Sequence, residues 1–230
     1  MGCTLDEIVP WGRSYDEYVR MFNLTTVDLQ RRILGCGDGP AGFNTELSRR
    51  GGRAVSVDPI YGFHADQIRR RISETYAIVL AQVEKNKNDY IWNNAIASVE
   101  KLGEVRMTAM QDFLADFENG KNQGRYIAAE LPAVPFDSGV FDIALSSHFL
   151  FLYSTHLSAE FHLHAIQEML RAAREARIFP LITLDGKPSP HLAFVINYFT
   201  RDEYEVEICR VDYEFQRGGN EMLKIKAGKQ

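Results

Sequence analysis

Three alternate glycines between residues 35 and 39 restrict the fold of this chain more than any other feature. They follow a short apolar run at 32–34 and precede a helical pattern at 41–50. Glycine permits tight turns and left-handed backbone conformations that other residues avoid. A second apolar run at 54–57 then ends in an acid, Asp58. The succession of strand, glycine turn, helix and strand predicts the beginning of an open α/β sheet.

The glycine turn and Asp58 together predict a nucleoside-binding site. Glycines let the backbone approach a ligand closely, and an acid at the tip of the second strand can accept hydrogen bonds from both hydroxyls of a ribose. The dinucleotide fingerprint G-x-G-x-x-G needs its third glycine at a position where this chain has Pro40. The spacing therefore disfavours a nicotinamide dinucleotide and leaves open which nucleoside binds.

Size and charge narrow the class of protein. The chain has 230 residues, of which 45% are hydrophobic and 25% charged, as expected for one sizeable globular domain over residues 1–230. Its net charge of −5 gives no general attraction to nucleic-acid backbones, so no nucleic-acid partner is predicted. No apolar run is long enough to span a bilayer, and the N-terminus shows no signal-peptide pattern.

The metal-ligating residue types are scattered. Cys3, Cys36 and Cys209 show neither a pairing rhythm nor metal-ligand spacing, which predicts a cytoplasmic location. His162 and His164 are two apart on a predicted helix, so they face different sides and would need a third ligand. No metal site is predicted.

Strand and helix patterns alternate along the chain. Predicted strands lie at 32–34, 54–57, 125–129, 140–146, 177–184, 205–215 and 222–226. Predicted helices lie at 15–22, 41–50, 158–174 and 191–199, and the segment 61–124 contains two further helical patterns. This order predicts a mostly parallel seven-stranded sheet with helices on both faces, a C-terminal antiparallel hairpin and a helical insertion between strands 2 and 3.

The run Leu34-Gly35-Cys36-Gly37-Asp38-Gly39 resembles the first motif of the class I S-adenosylmethionine (SAM) methyltransferases. A second stretch, from Glu130 to Asp142, is similar to the segment of that family that follows the third strand and opens the fourth. The resemblance covers residues 30–226 except the insertion. It implies a Rossmann-like fold, methyltransferase activity, SAM as cofactor and S-adenosyl-L-homocysteine (SAH) as product.

The resemblance also implies roles for particular residues. Asp58 would bind the ribose, and Glu130 falls where family members carry an acid that contacts the adenine amino group. The cofactor-binding residues predicted in this way are Gly35, Cys36, Gly37, Asp38, Gly39, Asp58, Pro59, Glu130, Leu131 and Ser146. In one respect the chain departs from the family, which often has an acid two residues before the first glycine, where Ile33 stands here. Recognition of the methionine amino group would then come from backbone carbonyls or from Asp38, with Arg13 near the carboxylate.

The segment after the fourth predicted strand carries the candidate catalytic groups. Methyl transfer depends mainly on alignment, but a nucleophile that carries a proton needs a base, and histidine suits neutral pH. His148 is the candidate base and Tyr153 a candidate positioning group, although packing beside the cofactor is an alternative role for His148. The predicted substrate contacts are His156, Arg217 and Asn220.

The insertion at 61–124 is long for a connection between strands. It is predicted to form a cap lined by Tyr76, Tyr90, Trp92 and Phe113, with a dimer interface or a solvated decoration as alternatives. The sequence as a whole predicts a methyltransferase for a small or medium organic molecule. Alternatives are a nucleic-acid or protein methyltransferase, a non-catalytic SAM- or nucleotide-binding module, and a nicotinamide oxidoreductase.

Overall fold

A computed structural model describes residues 9–228. The prediction that no signal peptide is present concerns the N-terminus, and residues 1–8 lie outside the described residues. The strands are β1 (Arg32–Cys36), β2 (Arg53–Val57), β3 (Tyr126–Ile127), β4 (Ile143–Ser147), β5 (Glu175–Phe179), β6 (Glu205–Arg210) and β7 (Glu221–Lys226). The helices are α1 (Tyr15–Met21), α2 (Phe43–Arg49), α3 (Ala65–Lys85), α4 (Val99–Asn122), α5 (Ala159–Ala172) and α6 (Leu192–Arg201).

All seven strands form one sheet in the order β3-β2-β1-β4-β5-β7-β6. β1 pairs in parallel with β2 and β4, β3 joins β2, and β5 joins β4, also in parallel. β7 runs antiparallel to both β5 and β6. The predicted fold class, including the antiparallel hairpin at the C-terminus, is confirmed. The carboxyl ends of β1 to β5 therefore meet along one edge of the sheet.

Helices cover both faces of the sheet. Successive strand residues point to opposite faces, and apolar side chains on each face pack against helices. On β1, Ile33 packs with residues of α1 and α2, whereas Leu34 packs with residues of α5 and α6. Both side chains are at most 1% exposed. Burying a side chain of this size contributes roughly 1.5–3 kcal/mol. The N-cap of α1 is the predicted one, with Ser14 and Glu17 forming a capping box.

Several predicted strand ends were wrong. β5 begins at Glu175, two residues earlier than predicted, because Glu175 already pairs with Lys226 of β7. Its buried carboxylate also forms ion pairs with Arg177 and Lys226. It ends at Phe179 instead of residue 184 because Pro180 lacks the N–H group that a strand needs. β6 is also shorter than predicted, since the residues after 210 form the connection to β7.

The segment 61–124 is helical, as predicted, but its two helices have different roles. α4 packs against α2 and β3, as an ordinary crossover helix does: Thr45 of α2 donates a hydrogen bond to Asp116 of α4 over 3.2 Å. The additional structure is therefore α3 together with residues 86–98. Of the four aromatic residues predicted to line a cap, only Tyr90 lines the cavity described below. Phe113 is instead completely buried between α4 and β3.

Candidate functional site

A cavity of about 680 Å³ lies at the carboxyl ends of the parallel strands. This is the edge where open α/β sheets bind ligands, and the volume is in the range typical of small-molecule sites. One part, which we call the glycine-turn half, comprises residues 37–39, 58–60 and 129–132 after β1, β2 and β3. The other, the aromatic half, comprises residues from 9–13, 79–90, 147–161 and 215–216.

The glycine turn makes room for an acid. A Cβ atom on Gly35 would lie 1.7 Å from the Oδ2 atom of Asp38, because the Asp38 side chain folds back over β1. Gly37 has a φ of +70° and a Cβ there would lie 3.0 Å from the ring of Phe149. Gly35 is thus needed for the position of Asp38, and Gly37 for both the turn and its contact with the aromatic half.

Asp38 is a buried acid that lines the cavity. It accepts hydrogen bonds from the Tyr18 hydroxyl over 2.9 Å and from the Ser56 hydroxyl over 2.7 Å. Burial raises the pKa of Asp38 to about 6, although both hydrogen bonds favour the ionised form. The cavity therefore contains a carboxylate that gains or loses its proton near neutral pH.

Asp58 is held by two backbone donors. Its Oδ2 atom accepts from the Gly39 N–H over 2.8 Å, and its Oδ1 atom accepts from the Ile60 N–H over 2.9 Å. A carboxylate has about four acceptor sites, so each oxygen keeps capacity for one more donor. Burial raises the pKa of Asp58, and the negative charge of Glu130 raises it further. Asp58 is thus a fixed acceptor that lines the cavity.

Glu130 lies at the rim of the glycine-turn half. It follows β3, is exposed, and lines the cavity together with Leu131 and Pro59. Asp58 lines the same part of the cavity, and the negative charge of Glu130 raises the pKa of Asp58. Two acceptors after neighbouring strands suit a ligand that presents several N–H or O–H donors.

His148 directly follows β4 and lines the cavity. Its backbone has a φ of +53°, and its N–H group donates to the Phe179 carbonyl over 2.7 Å. The Nδ1 atom lies 2.9 Å from the Ser147 hydroxyl. Burial holds the pKa of His148 well below its usual range, and the positive charges of Arg13 and Arg106 lower it further. The imidazole is therefore neutral at pH 7. Tyr153, the other candidate catalytic residue, is buried and also lines the cavity.

The structure places three predicted cofactor residues away from the cavity surface. Gly35 and Cys36 lie within β1. Ser146 is completely buried, and its hydroxyl has no hydrogen-bond partner among the described residues. Ser147 lines the cavity in its place, because β4 extends one residue further than predicted and alternate residues of a strand face opposite sides.

The three predicted substrate contacts also lie outside the cavity lining. His156 is exposed beside Thr155. The Arg217 Nε atom donates to the Asn88 carbonyl over 2.9 Å, and the Asn220 side chain donates to Glu214 over 3.0 Å. Arg217 therefore ties the β6–β7 connection to the segment after α3, and Asn220 stabilises the turn of that connection.

Aromatic contacts join the same two segments over the cavity. The rings of Tyr90 and Phe215 stack with their centroids 4.8 Å apart. The Ile91 N–H donates to the Phe215 carbonyl over 2.7 Å, and Tyr90 forms a β-bridge with Gln216. Phe215 was missed because the alternation of residues 205–215 suggested an ordinary strand.

A buried ion pair beneath the cavity was also missed. Glu17 of the capping box is 2% exposed and pairs with Arg106 of α4, which is completely buried. The Tyr213 hydroxyl donates to Glu17 over 2.9 Å. Burial by itself would raise the pKa of Glu17, but the charge of Arg106, followed by that of Arg13, lowers it to about 2. The capping pattern accounted for Glu17 locally and gave no sign of its distant partner.

Two further features concern residues 9–228. Within this range no three His, Cys, Asp or Glu side chains come together as a metal site would require. None of the helices in the same range combines the length and the hydropathy needed to cross a membrane.

Comparisons with known proteins find similarities both in structure and in sequence. Among solved structures, the chain is similar to magnesium protoporphyrin IX methyltransferase (ChlM) from Synechocystis PCC 6803 with bound SAM, with 10% identity, a TM-score of 0.45, and coverage of 88% of this chain and 73% of that one. It is also similar to a TehB-like SAM-dependent methyltransferase from Corynebacterium glutamicum, with 15% identity, a TM-score of 0.44, and coverage of 87% and 81%. These similarities do not identify what this chain binds.

No protein-family model matches the chain. A curated protein of Methanocaldococcus jannaschii, named Uncharacterized protein MJ0045, is 34% identical to it over 227 residues. The match covers 96% of this chain and 97% of that protein. The chain therefore belongs to the same protein family as MJ0045.

Proposed function

We propose that this protein is a SAM-dependent methyltransferase that acts on a small or medium organic molecule. The observation that carries the proposal is the Asp58 carboxylate, held over 2.8 Å and 2.9 Å by the N–H groups of Gly39 and Ile60. This carboxylate faces the cavity with capacity for two more donors, which is the number that the two hydroxyls of a ribose supply.

The donors of an adenosyl cofactor fit the acceptors of the glycine-turn half. Asp58 would hold the ribose, and Glu130 would accept from the adenine amino group, with Pro59 and Leu131 beside the ring. Asp38 would accept from the methionine ammonium group. It would thereby take the role of the acid that the family often carries at the position of Ile33. Gly37 and Gly39 would let the amino-acid tail approach the backbone. SAM supplies, when bound, a methyl group on a positively charged sulfur.

His148 is proposed as the base for an acceptor that must lose a proton. Its Nδ1 atom lies 2.9 Å from the Ser147 hydroxyl. In the tautomer whose Nδ1–H donates to that hydroxyl, the Nε2 atom keeps its lone pair. A neutral imidazole with a free lone pair can accept a proton. Tyr153 would position the acceptor.

The remaining parts of the proposal concern the partner and the setting. The size of the cavity and the stacked rings of Tyr90 and Phe215 favour a small molecule over a nucleic acid or a polypeptide. α3 and residues 86–98 act as the cap within one domain of residues 1–230. The proposal includes a cytoplasmic location and allows a homodimer.

Calorimetric titration with SAM, SAH and NAD tests the function. We expect saturable binding of SAM and SAH without a response to NAD, and about 100-fold weaker SAH binding in Asp58→Ala, which removes two charge-assisted hydrogen bonds. Asp112→Ala, which makes the same change at an exposed acid on α4, is the matched control and should bind as the wild type does. Saturable NAD binding without SAH binding would overturn the proposal.

A further inference from the structure

Arg13 is anchored directly beside the glycine turn. Its carbonyl accepts from the Gly42 N–H over 2.9 Å, at the start of α2. The preceding residue, Gly12, packs so closely against Pro40 that a Cβ atom would lie 2.1 Å from the Pro40 carbonyl oxygen. The backbone at Arg13 is thus fixed on both sides. Its side chain therefore starts from a fixed backbone position, and the residue lines the cavity.

The guanidinium of Arg13 has an unused donor. One terminal nitrogen donates to the Trp11 carbonyl. The Nε atom is covered by protein atoms, so a ligand in the cavity does not reach it. The second terminal nitrogen, Nη2, is not covered in this way and has no hydrogen-bond partner among the described residues, so it can donate to a ligand acceptor in the cavity.

Arg13 has no carboxylate of its own. Glu17, the acid that acts on it, already accepts from Arg106, Tyr213 and Ser14. Two guanidinium groups therefore share one carboxylate beneath the cavity. A carboxylate on a bound acceptor would give Arg13 a separate charged partner.

The contacts of Arg13 place it in the aromatic half. Its terminal nitrogen donates to the carbonyl of Trp11, and both residues line the cavity. The walls of this half are flat apolar rings, among them Trp11, Tyr90 and Phe215. Rings of this kind pack well against another planar group.

We propose that the acceptor is a planar organic carboxylate, whose carboxylate binds the Arg13 guanidinium and whose ring packs against the aromatic half. This inference rests on the proposed function and adds the chemical class of the acceptor. The carboxylate accepts a hydrogen bond from the free donor of Arg13. His148 lies in the same half of the cavity as the bound acceptor.

The test uses two probes of nearly the same shape, 2-naphthoate and 2-naphthamide, titrated into the SAH-loaded protein by calorimetry. We expect 2-naphthoate to bind about tenfold more tightly than the neutral amide, as one charge-assisted interaction would give. Arg13→Gln should weaken 2-naphthoate about tenfold and leave 2-naphthamide unchanged. Arg13→Lys retains the charge, so its affinity for 2-naphthoate should lie between those of the wild type and Arg13→Gln. Arg50→Gln, an exposed arginine outside the cavity, is the control.

Equal binding of the two probes, or an unchanged preference in Arg13→Gln, would overturn the inference. So would a loss of SAH affinity in Arg13→Gln without a loss for 5′-methylthioadenosine, since Arg13 would then bind the carboxylate of the cofactor itself. Thermal melting shows whether each variant is folded. If the wild type does not bind SAH, the proposed function fails, and the preference of the unloaded protein for 2-naphthoate still decides the inference about Arg13.

Discussion

The two halves of the cavity are built in different ways. In the glycine-turn half, backbone N–H groups of residues 39 and 60 hold Asp58, and all the parts come from segments directly after neighbouring strands. In the aromatic half, side chains from four distant segments meet, and a buried ion pair between α1 and α4 lies beneath them. The comparison teaches that a ligand site built on strand ends leaves a local sequence signal, whereas one built on tertiary packing does not.

The largest effect is expected from breaking the buried ion pair between Glu17 and Arg106, which lies beneath the aromatic half. Arg106→Met removes the guanidinium that pairs directly with the buried Glu17 carboxylate, and we expect it to lower the free energy of unfolding by about 3–5 kcal/mol. Urea denaturation measures this. Lys101→Met on the same helix removes an exposed ion pair with Glu104 and should cost about 0–1 kcal/mol. Equal costs for the two variants would show that the buried pair does not support the fold.

The second prediction breaks the glycine-turn half. Gly35→Ala places a methyl group where the Asp38 carboxylate lies, so Asp38 must leave its contacts with Ser56 and Tyr18. We expect SAH affinity to fall about 100-fold, as the loss of about 3 kcal/mol would give. Calorimetry measures the change. Gly62→Ala is the control, because its Cβ would meet only the Ala128 side chain at 3.6 Å. Wild-type SAH affinity in Gly35→Ala would contradict this account.

The two halves differ in how much of their structure the sequence could predict. Gly37, Asp38, Gly39 and Asp58 follow a pattern of a few adjacent positions, and the structure places all four on the cavity. At the end of β4, Ser146 was predicted to contact the cofactor, but Ser147 lines the cavity instead. β4 extends one residue further than predicted, and strand residues alternate between faces. Strand ends are set by tertiary hydrogen bonds that the local pattern does not contain.

The aromatic half was predicted less well for the same physical reason. Glu17 was identified as a capping residue from its spacing to Ser14, but its partner Arg106 is 89 positions away. Arg217 was assigned to the substrate because it lies in a loop near the sheet edge. The structure instead shows its side chain bonded to the Asn88 carbonyl. Neither partner could be identified without the packing of α3, α4 and the hairpin.

The third prediction sharpens the comparison through pH. The pKa of Asp38 is about 6, so lowering the pH below that value removes the charge proposed to bind the methionine ammonium group. We expect SAH affinity to fall by up to about tenfold per pH unit below pH 6 and to be constant above pH 7. 5′-Methylthioadenosine keeps the ribose but lacks the ammonium group, so its affinity should depend less on pH. Asp38→Asn should remove the difference between the two ligands, and identical pH profiles in the wild type would refute this role of Asp38.

The smallest expected effect is confined to the aromatic half. Phe215→Ala removes the ring that stacks on Tyr90, and we expect 2-naphthoate to bind about fivefold more weakly. SAH affinity should not change, because Phe215 lies outside the glycine-turn half. Phe194→Ala on α6, a partly exposed ring away from the cavity, is the control. An equal loss of SAH affinity in Phe215→Ala would show that the two halves are not separate sites.

The central claim is that Asp58 binds the ribose of an adenosyl cofactor. A crystal structure of the protein with SAH tests it most directly. The account predicts both ribose hydroxyls within about 2.5–3.0 Å of the Asp58 carboxylate oxygens, with the amino-acid tail along residues 37–39. A cavity that stays empty at saturating SAH, or SAH bound with its ribose away from Asp58, would contradict the claim.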